Sequence, residues 1–224
     1  MVERNSFGEI MKKLSEFIKE DSRIKKVYDY AKEKYNKANL TQHNFEHVIR
    51  VLYRVLIIAD TEKKVNYKIL IPATLLHDIG ATTGDYKHHE EAGIPIVKQI
   101  LPKFGYSKEE VEAICHCIIT HKGRGQLPET LEAKILYDSD VLKKSDLPSI
   151  YTAARVQHEL KMPLGEFISF AAGNRGSELS RGFFTKKAKE IDKGGLKRTL
   201  ELHKNILKAF NKRKDFSATE NDVW

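Results

Sequence analysis

The sequence predicts an all-α protein built as a single-domain helical bundle. Apolar residues recur at intervals of three and four almost throughout the 224 residues. Period-two alternation bounded by hairpin turns, the usual pattern of half-buried strands, is absent from the sequence. With 41% hydrophobic residues, a chain of this length can bury one substantial core. We therefore predict one domain over 1–214 and a loose polar tail over 215–224.

The first three helices are predicted from apolar spacing. Segments 7–19 and 22–37 precede the polar stretch NLTQHN, which interrupts the helical pattern. The third segment, 44–61, carries one apolar stripe, which predicts a helix with a single face in the core. The members of this stripe are Val48, Val51, Leu52, Val55 and Ile58.

The next two helices are defined by their end signals. Segment 67–78 is apolar on nearly all sides, which predicts burial, and Gly80 is a plausible stop. A helix that begins at His88 or His89 is expected to end at Phe104, with Gly105 in the position that favours a left-handed backbone.

The remaining helices begin at recognisable caps. Ser107 and Glu110 form the capping-box pattern before an apolar run, which predicts a helix over 107–121. Pro128 is well placed to open a helix over 128–144. Further helices are predicted at 148–160, 163–172, 183–192 and 195–212, with Gly194 and Gly195 separating the last two.

Composition restricts the partners and the compartment. The formal net charge of +8 favours an anionic partner: a nucleotide, a phosphate ester, nucleic acid or a membrane surface. Cys115 and Cys117 would point to nearly opposite sides of one helix, so we expect neither a disulfide nor a shared metal between them. The sequence has no signal peptide and no run of roughly 18 apolar residues. A cytoplasmic location without membrane insertion is therefore expected.

Histidines and aspartates recur near the ends of separate predicted helices. Helix ends in a bundle can converge on one pocket, and imidazole nitrogens with carboxylate oxygens are ligands for divalent metals. The ordered set therefore predicts a metal site inside the bundle. Its members are His47, His77, Asp78, His89, His121 and Asp140.

The motifs HNFEHVIRV, LLHDIG, HHEEAG, IITHK and YDSDVL resemble those of the HD-domain metal-dependent phosphohydrolase superfamily. The resemblance covers about residues 43–145, and the later FFTKKAKEI is similar to the small stand-alone bacterial and archaeal members. It implies an HD-type helical bundle that uses a divalent metal to hydrolyse phosphate esters or phosphoanhydrides, often of nucleotides. By the same resemblance, the primary metal ligands are His47, His77, Asp78 and Asp140.

The resemblance also implies roles for further histidines. His89 and His121 match positions that bind a second metal or the substrate phosphate in some subgroups. His116 is a weaker metal candidate, because on one helix it lies about 140° from His121. His43, one turn before His47, is as compatible with an exposed helix start as with a ligand, and it is left out of the predicted site.

The ligand set predicts a mechanism with one or two divalent ions, drawn from Mn, Co, Ni, Fe, Zn or Mg. Such an ion lowers the pKa of bound water towards about 7. Asp78 is expected to bridge two ions or to orient the attacking water, and His89 or His121 to protonate the leaving oxygen. The phosphate charge would be held by nearby cations, each of which is also compatible with a solvated surface residue. These cations are Arg50, Lys122, Arg124 and Lys144.

Two other interpretations remain open. HD-type scaffolds with extra histidines can hold redox-active iron, so a di-iron oxygenase is one alternative. A metal-containing regulatory or nucleic-acid-binding module is the other, although the basic C-terminal segment lacks a reader motif and stacked aromatics. The HKGRGQLP stretch stands where cyclic-dinucleotide phosphodiesterases carry Gly-Tyr-Pro, which disfavours that activity. The substrate, the product, the native metal and the oligomeric state, with a homodimer among the options, stay open.

Overall fold

The computed structural model describes residues 3–146 and 149–212, and its regular elements there are eleven α-helices and one short 3₁₀ helix. The predicted all-α fold class is confirmed. The predicted tail over 215–224 lies outside the described residues. The elements are α1 (Glu3–Glu20), α2 (Ser22–Ala38), α3 (Phe45–Ala59), α4 (Tyr67–Leu76), the 3₁₀ helix (Ile79–Thr83), α5 (His89–Phe104), α6 (Lys108–Thr120), α7 (Leu131–Leu142), α8 (Ser149–Leu160), α9 (Leu164–Arg181), α10 (Lys186–Asp192) and α11 (Gly195–Lys212).

The helix caps predicted from the sequence are present in the structure. The Ser107 hydroxyl accepts from the Glu110 N–H, and the Glu110 carboxylate accepts from the Ser107 N–H at 2.8 Å, so the predicted capping box is confirmed. Gly105 ends α5 in the left-handed conformation with φ of 95°, as expected. Asn44 caps α3 by accepting from the His47 N–H, which fixes the first turn of the helix that carries His47.

Several predicted boundaries are wrong. α1 begins at Glu3 rather than residue 7, α7 at Leu131 rather than Pro128, and α10 at Lys186 rather than residue 183. Two other errors bear on packing and on the site. The segment predicted to stop at residue 172 continues as α9 to Arg181, because the interior glycines Gly173 and Gly176 do not interrupt it. The helix predicted over 67–78 ends at Leu76, so His77 and Asp78 lie in the turn that leads into the 3₁₀ helix. His77 keeps helical backbone angles, whereas Asp78 departs from them with φ of −104° and ψ of 12°.

The chain divides into two compact units, Met1–Asp140 and Val141–Trp224. In the first unit, every member of the predicted apolar stripe of α3 is buried, and so is each side chain of α4 from Ile69 to Leu76. α4 packs against α2, α3 and α6, and α5 packs against α6 and the 3₁₀ helix. The core of this unit therefore surrounds the turn that follows α4.

A glycine contact brings α5 against that turn. A Cβ added to Gly80 would lie 2.1 Å from the His89 carbonyl oxygen and 2.5 Å from the Gly93 nitrogen. Backbone can approach backbone this closely only where no side chain intervenes. Gly80 therefore does not end α4 as predicted, but lies inside the 3₁₀ helix, where it lets the start of α5 reach the residues beside Asp78.

In the second unit, α9 packs along α11. Gly165 near the start of α9 lies against the ring of Phe210 near the end of α11, so the two helices run in opposite directions. The loop before α8 is tied to α11, since the Thr199 hydroxyl donates to the Asp146 carbonyl oxygen at 3.1 Å. Over the described residues of both units, none of the helices combines the length and apolar character that a membrane crossing requires.

Candidate metal centre

Asp78 lies fully buried at the centre of the candidate site, and its two carboxylate oxygens face different histidines. Oδ2 is 3.1 Å from Nε2 of His47 and 3.1 Å from Nε2 of His77. Oδ1 is 2.9 Å from Nε2 of His89 and 3.3 Å from Nε2 of His121. One carboxylate therefore joins two neighbouring clusters of ligand atoms.

The first cluster contains the primary ligands that the family resemblance implies. His47 comes from the first turn of α3, His77 and Asp78 from the turn after α4, and Asp140 from α7. Asp140 Oδ1 lies 3.6 Å from His47 Nε2 and 4.0 Å from His77 Nε2, and the two Nε2 atoms are 3.3 Å apart. All four side chains are buried.

The second cluster forms on the other side of Asp78. His89 at the start of α5 and His121 at the end of α6 face Asp78 Oδ1, and their rings are 5.5 Å apart. His43 joins them, since its ring centroid lies 4.8 Å from that of His89, and a ligand atom of each of His43, Asp78 and His89 lies within 4.8 Å of the others. His43 is buried rather than exposed at a helix start.

Backbone carbonyls fix the orientation of three of these rings. Nδ1 of His77 donates to the Thr74 oxygen at 2.8 Å, and Nδ1 of His89 donates to the Tyr86 oxygen at 2.9 Å. Nδ1 of His121 likewise donates to the carbonyl oxygen three residues before it at 2.6 Å. The proton of each neutral ring is thereby held at Nδ1, and Nε2 is left as a lone-pair donor to the centre.

These ring orientations leave electron-rich atoms facing one another. Among the described residues, both oxygens of Asp78 and Nε2 of His89 and of His121 are buried without a hydrogen bond of acceptable geometry. Two acceptors about 3 Å apart repel each other, and their burial without a compensating partner is costly. A cation between them would remove both penalties, so the residues present fit a divalent metal.

Burial and local charge favour the protonation states that bind metal. Burial alone would raise the pKa of Asp78, but the neighbouring His77, His89, His43 and His121 outweigh it and hold that pKa well below its usual range. Burial, and secondarily the charge of Lys122, lowers the pKa of His89. Metal binding requires an ionised carboxylate, and the lowered pKa of His89 favours the neutral ring that can donate a lone pair to a metal.

The predicted phosphate-binding cations differ in their surroundings. Lys122 is half-buried directly after His121, and its charge acts on the pKa of both His89 and His121. Arg50 is partly exposed and forms an ion pair with Glu46 on its own helix. Arg124 is exposed, and it donates to the Lys87 carbonyl oxygen at 3.2 Å. Lys144, in the second unit, donates to Glu178 Oε1 at 2.6 Å.

His116 lies outside both clusters. Its Nε2 accepts a hydrogen bond from the Glu129 N–H at 3.2 Å, and its Nδ1 faces the Gln126 amide at 3.5 Å. These contacts anchor the loop between α6 and α7. The spacing argument from the sequence, which separated His116 from His121 by about 140°, accounts for this placement.

The sequence interpretation missed two residues of the site region. His43 is one turn before His47, and this spacing was the available signal. Arg54 follows His47 by seven residues on the same helical face; its Nη1 donates to the Arg50 carbonyl oxygen at 3.1 Å, which draws the guanidinium towards His47. Burial lowers the pKa of Arg54 to about 10, although the charge of Asp140 acts in the opposite direction.

Comparisons with known proteins found a matching family model and a similar solved structure. Residues 44–144 match the family model of the HD domain. The fold is similar to the crystal structure of a predicted HD superfamily hydrolase from an uncultured Thermotogales bacterium, with a TM-score of 0.59 and 23% identity over 88% of this chain and 98% of that one. No curated protein matches the chain.

Proposed function

Because this chain belongs to the HD-domain superfamily through residues 44–144, we propose that it is a metal-dependent phosphohydrolase. Its substrate would be a small anionic metabolite, with nucleotides as the leading class, and the reaction would cleave a phosphate ester or a phosphoanhydride. The observation that carries this proposal is the placement of Asp78, whose two oxygens each face a separate pair of histidine nitrogens.

The arrangement supports a centre for two ions that share Asp78. His47, His77 and Asp140 would hold the first ion together with Asp78, and His43, His89 and His121 would hold the second. When bound, a divalent metal supplies Lewis acidity and a water whose pKa is lowered towards about 7.

The chain's own residues would orient the substrate and exclude bulk water. Lys122 is the best-placed cation of those predicted from the sequence, because it is half-buried and directly follows His121. The geometry favours ligand roles for His89 and His121 over proton donation to the leaving group. Both rings use their Nδ1 proton for a backbone carbonyl and direct Nε2 at Asp78.

The experiment is a release assay for orthophosphate and pyrophosphate. Nucleotides and small phosphate esters are presented to the full chain with Mn²⁺, Co²⁺, Ni²⁺ or Mg²⁺, and the parent is compared with Asp78→Asn. Asp29→Asn is the matched control, because Asp29 is exposed on α2 and pairs with Lys25. We expect metal-dependent turnover in the parent and the control, and a loss of at least 100-fold in Asp78→Asn.

Absence of turnover with every metal and compound, from folded and metal-loaded protein, would remove the hydrolase proposal. The second candidate, a di-iron oxygenase, is favoured by one observation: the described residues bring five histidines and two carboxylates together, which is a ligand set compatible with iron. An iron content of about two per chain, with substrate-dependent consumption of oxygen, would support that candidate instead.

A further inference from the structure

The second unit contains a polar cluster of its own, formed by Lys144, Arg175, Glu178 and His203. Arg175 and Glu178 lie on α9, and His203 lies on α11, which packs along α9. The side chains of Lys144 and Arg175 are only 13% and 12% exposed, so these cations are unlike ordinary solvated surface residues.

Glu178 holds both cations in place. Its Oε1 accepts from Lys144 Nζ at 2.6 Å, and its Oε2 accepts from Arg175 Nη1. The carboxylate therefore holds the two cationic heads next to one another. Such charge-assisted hydrogen bonds fix donor groups in the geometry that recognition of an anion requires.

Arg175 keeps donors for a ligand. A guanidinium carries five N–H donors. Among the described residues, Arg175 donates through Nη1 to Glu178. None of its nitrogens is both buried and unsatisfied. The remaining donors can therefore be reached from outside through the exposed 12% of the side chain.

His203 supplies a buried acceptor beside Arg175. Its Nδ1 donates to the Thr199 carbonyl oxygen at 2.8 Å, so Nε2 of the neutral ring is an acceptor. Nε2 is buried and has no hydrogen-bond partner among the described residues. α9 and α11 run antiparallel with Gly165 against Phe210, and this register sets Arg175 opposite Leu200, within one turn of His203 among the buried residues of α11. Burial and, more weakly, the charge of Arg175 lower the pKa of His203. A buried acceptor without a donor is unfavourable, and a ligand hydroxyl would satisfy it.

We propose that this cluster is a phosphate-binding site that prefers a phosphate group carrying or adjoining a hydroxyl. Arg175 and Lys144 donate to the phosphate oxygens, and His203 Nε2 accepts from the hydroxyl. Hydrogen phosphate and phosphate monoesters of hydroxylated compounds meet both requirements. Sulfate resembles phosphate in charge and shape but carries no hydroxyl at neutral pH. It can therefore accept from Arg175 and Lys144 but cannot donate to His203 Nε2.

The test is calorimetric titration of the full chain with inorganic phosphate and with sulfate at pH 7. It is run in the parent and in the Asp78→Asn background, so that phosphate held at the candidate metal centre is counted separately. Arg175→Gln is expected to weaken phosphate binding at least 10-fold, and His203→Met to reduce the preference for phosphate over sulfate. Lys204→Gln is the matched control, since Lys204 is exposed directly after His203 and its loss removes the same charge.

The proposal is overturned if phosphate does not bind in the Asp78→Asn background, or if Arg175→Gln and Lys204→Gln bind it equally. Far-ultraviolet circular dichroism of each variant confirms folding. If Arg175→Gln does not fold, His203→Met in the folded Asp78→Asn background decides the question by the ratio of phosphate to sulfate affinity.

Kinetics distinguish the two sources of the phosphate group. If the site holds a substrate phosphate, Arg175→Gln raises KM in the release assay more than it lowers kcat. If it holds free phosphate, KM is unchanged and the response of activity to added phosphate is lost. Binding in the Asp78→Asn background involves no turnover, so failure of the hydrolase proposal would leave this result intact.

Discussion

Gly80→Ala should disturb the candidate metal centre by pushing α5 away from the turn that contains Asp78. The new Cβ would lie 2.1 Å from the His89 carbonyl oxygen, whereas ordinary contact begins at about 3.4 Å. The start of α5 would therefore have to move by about 1.3 Å, the difference between these distances. The Gly93 nitrogen at 2.5 Å adds a second clash with backbone, which cannot rotate away as a side chain can.

We expect this substitution to lower the free energy of unfolding by about 1–3 kcal/mol, the usual range for an overpacked core. For a chain of this size, each kcal/mol corresponds to about 2–4 °C, so Tm should fall by about 2–12 °C. Metal content should fall as well, since the displaced segment carries His89 and its Nε2 moves with it. Differential scanning calorimetry and elemental analysis of the metal-loaded protein measure the two effects.

Two other glycines make this a graded test. A Cβ on Gly93 would meet the Gly80 nitrogen and the Ile79 Cγ2 at 3.3 Å, which predicts a smaller loss of stability for Gly93→Ala. A Cβ on Gly176 would meet nothing within 4 Å, so Gly176→Ala should gain about 0.5–1 kcal/mol from helix propensity. A Gly80→Ala protein with the Tm and metal content of the parent would refute the close-approach argument.

Three further predictions concern other parts of the molecule. His43→Gln should lower the metal content of the protein by up to one equivalent, whereas His116→Gln should leave it unchanged, as measured by elemental analysis. Ser107→Ala should cost about 1 kcal/mol in thermal unfolding, because the capping box loses its hydroxyl acceptor. Burial raises the pKa of Cys115 to about 11 and that of Cys117 to about 12, so at pH 8 their thiolate fractions are on the order of 0.001 or less, and Ellman's reagent should react slowly with native protein but rapidly after denaturation.

The helices were predictable where a local signal marked the end. The Ser107 capping box and the glycine after Phe104 are chemical signals contained within a few residues, and both operate as expected. The extent of α9 was not predictable in this way, since Gly173 and Gly176 resemble helix breakers. Packing of α9 along α11 supplies a stabilisation that intrinsic propensity does not include.

The residues of the candidate metal centre were only partly predictable from the sequence. Spacing along the chain does not show which residues from distant segments the fold brings next to one another. The resemblance pointed to the histidines and aspartates that the structure gathers around Asp78. His43 was set aside because a histidine at a helix start is often exposed, and its burial depends on α5, which is distant in sequence. Arg54 was missed for a related reason: its bond to the Arg50 carbonyl oxygen sets its direction, and no motif records that bond.

The position of Asp78 links folding to metal binding. The ligand atoms around it come from α3, the turn after α4, α5, α6 and α7, and they converge only when the core between these elements has formed. An ion that binds this arrangement and not the unfolded chain stabilises the folded state, by about 2.7 kcal/mol at a free concentration 100 times Kd. Without an ion, the folded state must keep the acceptors of Asp78, His89 and His121 buried against one another. The same residues that make the centre suited to metal therefore make the metal-free protein less stable, and the core around α4 offsets that cost.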